Sequence, residues 1–239
     1  AYNVAIGQSA LHNNVDGSNS VAIGRLALYA QDPASAADMN NVAVGYLSGT
    51  AATTATASTL IGSQAGSALT SGINNTAVGA FSLNADTLGK FSVAVGNGAL
   101  ERQNFTSSTN VYNTAVGYDA GSRITTGVQN TFIGGLSGDA NTTGNNNVSV
   151  GKSSFSANTT GSSGTAVGAF ALLANTTGAN NTAIGNSSLA ANTTASNNTA
   201  VGLGALGANT TGTRNTAVGA NALDASTTAN YNSAFGTHA

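Results

Sequence analysis

The chain contains no cysteine, no tryptophan, one proline and one methionine among its 239 residues. Without cysteine there is neither a disulfide framework nor thiol chemistry, so stability must come from packing and assembly. Charge is also scarce, with 6 basic and 8 acidic residues and a formal net charge of −2. A basic patch for nucleic acid is therefore not expected, and no apolar run reaches the length of a membrane-spanning helix.

The residue types that usually carry catalysis are few and scattered. Glu101 is the only glutamate, so a pair of carboxylates for glycoside cleavage is not indicated. His12 and His238 lie at opposite ends of the sequence, which leaves neither a nucleophile triad nor metal-ligand spacing. The sequence thus predicts no enzyme activity, no cofactor and no metal site.

One short motif is repeated along the whole chain, for example as NNTAVGAFSL at residues 74–83 and as NTAVGANALD at residues 215–224. Its closing glycine occurs fourteen times, and eleven of the thirteen intervals between these glycines share one length, which defines a 17-residue repeat. The other two intervals, Gly24 to Gly45 and Gly96 to Gly117, define 21-residue repeats and so carry four-residue insertions. A single repeat array over residues 1–239 accounts for the chain without a second domain.

With the closing glycine as position 0, the consensus from −4 is N-T-A-V-G-x-x-A-L-x-x-N-T-T-G-x-N. The T-A-V-G run is typical of a short strand ending in a bend, and Asn, Thr and Gly favour turns. A single repeat buries too little apolar surface to fold, whereas stacked repeats share backbone ladders and one core. The pattern predicts an all-β parallel β-solenoid of about fourteen coils, with two short strands per coil and a length of roughly 65 Å.

Other solenoids fit less well. Leucine-rich repeats are longer, hexapeptide helices need an apolar residue every six positions, and calcium-binding rolls need G-G-x-G-x-D. A small β-roll remains. Where position +4 is Gly66 or Gly121 instead of Leu, an apolar residue stands at +7, Leu69 or Ile124, which indicates that core volume is supplied from a neighbouring position.

Positions −1 and −2 of the strand point to opposite faces, and both are apolar. If Val and Ile at −1 fill the coil, the alanines at −2 face a partner chain, and an oligomer is expected. The predicted oligomer contacts are Ala77, Ala94, Ala115, Ala166, Ala183, Ala200 and Ala217.

The runs NVAIGQSAL at residues 3–11 and NSVAIGRLAL at residues 19–28 resemble the YadA-like head repeats of trimeric autotransporter adhesins. Similar repeats occur in viral and phage fibre proteins. The resemblance extends over all fourteen repeats and implies a left-handed β-roll and a homotrimer around one axis. The Asn-Thr-Thr-Gly segment makes each coil longer than the usual repeat of that family.

The two insertions break the regular surface and are predicted to protrude as loops, where binding residues concentrate. They span YAQDPASAADMNN, residues 29–41, and ERQNFTSSTNVYN, residues 101–113. The candidate partner-binding residues are Tyr29, Asp32, Asp38, Met39, Glu101, Arg102, Phe105 and Tyr112.

The sequence therefore favours an extracellular, non-enzymatic rod on a cell or virion surface, the head or shaft of a trimeric adhesin or fibre. Its expected partners are further copies of itself, including copies stacked end to end, and a host-surface protein or glycan. A filament subunit is the main alternative, and an ice-binding solenoid with Thr rows is a weaker one. Eleven Asn-X-Ser/Thr sequons also occur, at Asn74, Asn104, Asn141, Asn147, Asn158, Asn175, Asn180, Asn186, Asn192, Asn197 and Asn209, and the repeat itself can account for them.

Overall fold

The computed structural model describes residues 2–239 and contains only strands, turns and bends over that range. The chain divides into two compact units, Ala1–Thr126 and Gly127–Ala239, and both are parallel β-solenoids. The first unit holds strands β1 Val4–Ile6, β2 Gly17–Ser18, β3 Val21–Ile23, β4 Ala37–Asp38, β5 Val42–Val44, β6 Thr59–Ile61, β7 Thr76–Val78, β8 Gly89–Lys90, β9 Val93–Val95, β10 Thr109–Asn110 and β11 Thr114–Val116. The second holds β12 Thr131–Ile133, β13 Val148–Val150, β14 Thr165–Val167, β15 Thr182–Ile184, β16 Thr199–Val201, β17 Thr216–Val218 and β18 Ser233–Phe235.

The three-residue strands stack in register, one per coil, as the 17-residue period predicts. Thr165 of β14 pairs with Thr182 of β15, and Val167 pairs with Ile184. The closing glycine makes this stacking possible. Gly168 has a φ of 129°, and a Cβ added to it would lie 2.6 Å from the carbonyl carbon of Gly185 in the next coil.

In most coils the remainder of the repeat does not form a second strand. Within the described residues, a second, two-residue strand occurs only in four coils of the first unit, where β2 pairs with β4 and β8 pairs with β10. Elsewhere, left-handed residues at −5, +2 and +4 turn the backbone, as at Asn180, Phe170 and Leu172, with φ of 57°, 60° and 50°. These sharp bends let one short repeat close a coil while the backbone still bonds to the next coil.

The assignment of the two strand faces from the sequence was wrong. The seven alanines predicted to contact a partner chain are 0% exposed within one chain: Ala77, Ala94, Ala115, Ala166, Ala183, Ala200 and Ala217. They lie inside the coil with the Ala or Ser at +3 and the Leu at +4, and the Val and Ile at −1 point outward. The small alanine fits because the interior is narrow and is already filled by the larger Leu at +4.

Exceptions to the repeat compensate one another inside the coil. Leu60 and Phe132 replace Ala at −2, and both are fully buried. A Cβ at Gly66 or at Gly49 would lie 2.7 Å from a methyl carbon of Leu60. Leu60 thus occupies the space that Leu at +4 fills elsewhere, which explains both glycines. Leu69 and Ile124, predicted to supply core volume at +7, are also fully buried.

Phe155 and Gly164 form a compensating pair of the same kind. Phe155 replaces Leu at +4, and Gly164 replaces Asn at −4 of the next coil. A Cβ at Gly164 would lie 2.8 Å from Cζ of Phe155, so the ring takes the place of the missing amide. Core volume is therefore held nearly constant from coil to coil, as close packing requires.

Where the repeat follows the consensus, buried asparagines close the coil and bond it to the next one. Within one repeat, Nδ2 of Asn147 at −4 and Nδ2 of Asn158 at +7 both donate to the carbonyl of Gly161, at 2.9 and 3.0 Å. The Oδ1 of Asn147 accepts the backbone N–H of Gly164 in the following coil at 2.8 Å. The asparagines of the consensus thus satisfy the polar groups that a small coil must bury.

Candidate interaction surface

An aliphatic stripe runs along the outward face of the three-residue strands in each unit. It is defined by positions −1 and −3, which alternate with the buried Ala at −2. In the second unit it comprises Thr131, Ile133, Val148, Val150, Thr165, Val167, Thr182, Ile184, Thr199, Val201, Thr216, Val218, Ser233 and Phe235. Ile133 and Ile184 are 39% and 41% exposed, and Val201 is half-buried.

The first unit presents the same stripe. Its members are Val4, Ile6, Val21, Ile23, Val42, Val44, Thr59, Ile61, Thr76, Val78, Val93, Val95, Thr114 and Val116. None of the stripe positions in either unit carries a charge. Neighbouring strands lie about 4.8 Å apart, so seven strands form a long, uncharged and half-exposed apolar band. A contiguous band of this kind is typical of an interaction surface rather than of ordinary solvent-facing sheet.

Aromatic and charged side chains border the stripe in the first unit, at +1 and −5. Arg25 lies over the ring of Tyr46 at 5.6 Å, and its Nε donates to Oε1 of Gln8 at 3.1 Å. The rings of Phe91 and Tyr112 stack with their centroids 5.2 Å apart. An apolar centre with an aromatic and polar rim is the usual arrangement of protein–protein interfaces.

The insertions only partly match the predicted loops. Met39 and Phe105, predicted as contact residues at the tips, are 1% and 6% exposed and belong to the core, so that prediction was wrong. Each packs inward because the inserted chain follows the preceding coil through β4 and β10 instead of leaving it. The exposed tips are residues 34–36 and 106–108.

The other predicted contact residues lie on the surface of the first unit. Arg102 is exposed, Glu101 is half-buried, and Tyr112 is 51% exposed. Tyr29 is half-buried and stacks on His12, with ring centroids 5.3 Å apart. Asp32 and Asp38 are exposed, and the carboxylate of each accepts a hydrogen bond from the preceding coil.

Those contacts fix the first insertion on the preceding coil. The Oδ1 of Asp32 accepts the N–H of Val15 at 3.1 Å, and Oδ1 of Asp38 accepts the hydroxyl of Ser18 at 2.7 Å. Among residues 2–239 no group of three His, Cys, Asp or Glu side chains could hold a metal ion. The described chain also has no detectable pocket and no helix that could cross a membrane.

A buried hydrogen-bond cluster of the same kind supports each insertion, and the sequence analysis did not predict it. In the first, Oε1 of Gln31 accepts from Ser20 at 3.2 Å and Asn41 at 3.0 Å, and its Nε2 donates to Oδ1 of Asn14 at 3.2 Å. The sequence signal was Gln at +7 in both 21-residue repeats, Gln31 and Gln103, with Ser at −4 before each.

The second cluster contains a buried carboxylate, Asp86, at the place of Asn14. Gln103 donates to Oδ2 of Asp86 at 2.7 Å, and the N–H groups of Gly89 and Phe105 donate to Oδ1 at 3.2 and 3.1 Å. Burial raises the pKa of Asp86 above its usual value, although these hydrogen bonds oppose the rise.

The stability of the Asp86→Asn variant relative to the parent protein is expected to rise with pH. Asn14 holds an amide at the corresponding place of the first cluster, but there Pro33, which has no N–H, stands where Phe105 donates to Asp86. The substitution itself therefore costs a buried hydrogen bond at every pH. A raised folded-state pKa favours the protonated acid, so the carboxyl contributes stability near pH 4 that is lost as pH rises through the folded pKa.

Thermal unfolding of both proteins between pH 4 and pH 8 measures this effect. The midpoint of the variant relative to that of the parent should be higher at pH 8 than at pH 4. The control replaces the exposed Asp38 by Asn, which removes a carboxylate from the surface of the same unit. Equal pH-dependent changes in the two variants would show that burial of Asp86 is not the cause. A parent protein that gains stability relative to Asp86→Asn as pH rises would contradict the prediction.

No family model, curated protein or solved structure matches the chain.

Proposed function

We propose that this chain is a non-enzymatic structural segment of a homotrimeric surface adhesin or of a viral or phage fibre. Copies of the chain associate through the aliphatic stripe, and the assembly stands on the outside of a cell or virion. The observation that carries this proposal is the stripe itself, an uncharged row with an outward Val, Ile or Phe at −1 of every coil in both units.

The energetics favour burial of the stripe. Fully burying a Val or Ile side chain contributes roughly 1.5–3 kcal/mol, so covering the exposed part of one stripe residue contributes on the order of 1 kcal/mol. Seven aliphatic or aromatic residues per unit at −1 can therefore offset the entropy lost on association. The stripe repeats at a fixed interval, so identical copies in parallel register match one another along its length.

Three copies, rather than two, are favoured by the resemblance to the YadA-like head repeats. In such a trimer the stripes meet at the axis, and Tyr112, which borders the stripe, lies at the rim of the interface. Arg102, Asp32 and Asp38 are exposed and are the residues proposed to contact a host-surface protein or glycan.

The Val201→Asp variant tests the association. Val201 lies outside the coil, so an isolated chain keeps the carboxylate in water and stays folded. In the assembly the same carboxylate enters an apolar contact, which costs several kcal/mol and weakens association by at least about tenfold. Light scattering and sedimentation at micromolar concentration measure the effect. The control is Thr194→Asp, which adds the same charge at an exposed turn position, +9, in the preceding coil.

The parent protein should have the mass of three chains, the control should match it, and Val201→Asp should shift towards one chain with an unchanged circular dichroism spectrum. A mass that grows without limit as concentration rises would instead support the filament alternative. A monomeric parent protein, or a Val201→Asp variant that assembles like the control, would refute the proposed interface.

One observation favours ice binding as a second candidate. Thr165, Thr182, Thr199 and Thr216 form an outward, in-register row beside the aliphatic row, at about 4.8 Å per strand. This T-x-V surface provides a regular, in-register Thr row on a strand, whereas the other threonines of the repeat lie in turns. Thermal hysteresis in the parent protein, lost in Val201→Asp and kept in Thr194→Asp, would support this function.

A further inference from the structure

The eleven sequons fall into two groups in the folded protein. Six have a fully buried asparagine and five have an exposed one. The buried group is Asn141, Asn147, Asn158, Asn175, Asn192 and Asn209, and the exposed group is Asn74, Asn104, Asn180, Asn186 and Asn197. The groups differ in their place in the repeat. Five of the buried asparagines stand at +7, whereas Asn74, Asn180 and Asn197 stand at −5 on the outer surface.

The five asparagines at +7 form a continuous amide ladder inside the second unit. Nδ2 of Asn175 donates to Oδ1 of Asn158 at 3.0 Å, and Nδ2 of Asn192 donates to Oδ1 of Asn175 at 2.7 Å. Each Nδ2 has a second acceptor, the carbonyl at +10 of its own repeat, as from Asn175 to Gly178 at 3.0 Å. Both amide hydrogens of Asn158, Asn175, Asn192 and Asn209 are therefore in use.

Asparagine-linked glycosylation would destroy this arrangement. The reaction joins Nδ2 to the anomeric carbon of a sugar, the lipid diphosphate leaves, and one amide proton is lost. The product keeps a single N–H, so one ladder bond is broken, and the attached sugar has no space inside the coil. Transfer takes place on the nascent chain, before folding, so the later burial of these asparagines gives them no protection.

We propose that the exposed sequons can carry an asparagine-linked oligosaccharide, whereas the six buried ones must remain unmodified for the protein to fold. The chain therefore matures in a cell or compartment that does not transfer oligosaccharide to nascent Asn-Thr-Thr sequences. This is a requirement of the core, independent of the role of the aliphatic stripe. The fold thus distinguishes the exposed asparagines, which can accept an oligosaccharide, from the ladder asparagines, although both groups carry the same Asn-X-Ser/Thr sequon.

The experiment compares two proteins fused to a signal peptide and secreted by a eukaryotic cell. One is the parent chain. The other lacks the buried sequons but keeps all their asparagines, through Thr143→Val, Thr160→Val, Thr177→Val, Thr194→Val, Thr211→Val and Ser149→Ala. The replaced threonines are exposed at +9, and Ala is the consensus residue at −2, so the fold is retained.

The variant should be secreted, folded and glycosylated only at exposed sequons. The parent should be secreted several-fold less, and peptide mass mapping should find glycan on ladder asparagines in the parent protein retained inside the cell. Blocking the synthesis of the lipid-linked oligosaccharide should restore the parent to the level of the variant. Both proteins made in a bacterial cytoplasm should give the same circular dichroism spectrum and unfolding midpoint. Equal secretion of the two from the eukaryotic cell, or a protease-resistant secreted parent with glycan on a ladder asparagine, would overturn the proposal.

Discussion

The double variant Phe132→Ala/Gly138→Leu is expected to be nearly as stable as the parent protein, although each single change should be strongly destabilising. Both changes restore the consensus of the repeat. Phe132→Ala alone leaves a cavity in a fully buried site, which costs roughly 3–5 kcal/mol. Gly138→Leu alone overfills the same space, because a Cβ at Gly138 would lie 2.5 Å from Cδ1 and Cε1 of the ring.

The regular coils show that the combination fits. Ala166 and Leu172 occupy the same two positions, and both are fully buried. The φ of Gly138, 57°, is close to the 50° of Leu172, so Leu at position 138 adds no backbone strain beyond that of other coils. Phe132 and Gly138 are in direct contact, and a large coupling energy is therefore expected between them.

Urea unfolding of the four proteins gives this coupling, and hydrogen exchange of the amides in the coil of β12 reports it locally. The matched control combines Phe132→Ala with Gly66→Leu, a change of the same chemistry in the other unit. The losses should add in the control, whereas the cycle at Phe132 and Gly138 should show strong compensation. Additive losses in both cycles would mean that the two side chains do not share one space.

The stacking and register of the strands could be predicted from the sequence, because a regular 17-residue period places equivalent residues of successive repeats next to one another. The inward face could not be assigned from the alternation alone, since Ala at −2 and Val at −1 are both apolar. Hydrophobicity favours burial of the larger residue, but the small cross-section of the coil selects the smaller one. The repeat did contain the deciding signal. Leu60 and Phe132, the large residues at −2, coincide with Gly66 and Gly138 at +4, and such compensation requires the two positions to face each other.

The position of the insertions was also only partly predictable from the sequence. Met39 and Phe105 looked like exposed anchors because an insertion is usually a surface loop. Their burial depends on the paired strands β4 and β10, which the composition of the segments does not reveal. Gln31 and Gln103 would have indicated a shared internal cluster, because they occupy the same repeat position in the two longest repeats. The candidate surface therefore needed the structure, while the fold did not.

Interior and exterior have different chemistry, and this division links the fold to the proposed function. Buried amides, small apolar residues and the Leu at +4 fill the coils, so the fold of one chain does not depend on burying the Val and Ile at −1. Val and Ile at −1 remain available on the outside, where only a partner surface can bury them. Because hydrogen bonds and packing inside the coils stabilise the solenoid, the apolar stripe can stay on its surface and need not be buried for a single chain to fold.

The Asn175→Asp variant is expected to lose roughly 3–5 kcal/mol of stability at neutral pH, because it leaves an uncompensated charge in the core. Asn175 is fully buried, and its Nδ2 faces two acceptors, Oδ1 of Asn158 and the carbonyl of Gly178. A carboxylate oxygen cannot donate to either. Burial should raise the pKa of the new acid, so the loss should be smaller near pH 4, where the protonated form can donate one hydrogen bond, and should grow as pH rises. Asn180→Asp is the control, since it adds the same charge to an exposed position and should change stability by less than about 0.5 kcal/mol. Urea unfolding of both variants and the parent at pH 4 and pH 7 measures the difference, and equal losses in the two variants would show that the ladder does not stabilise the coil.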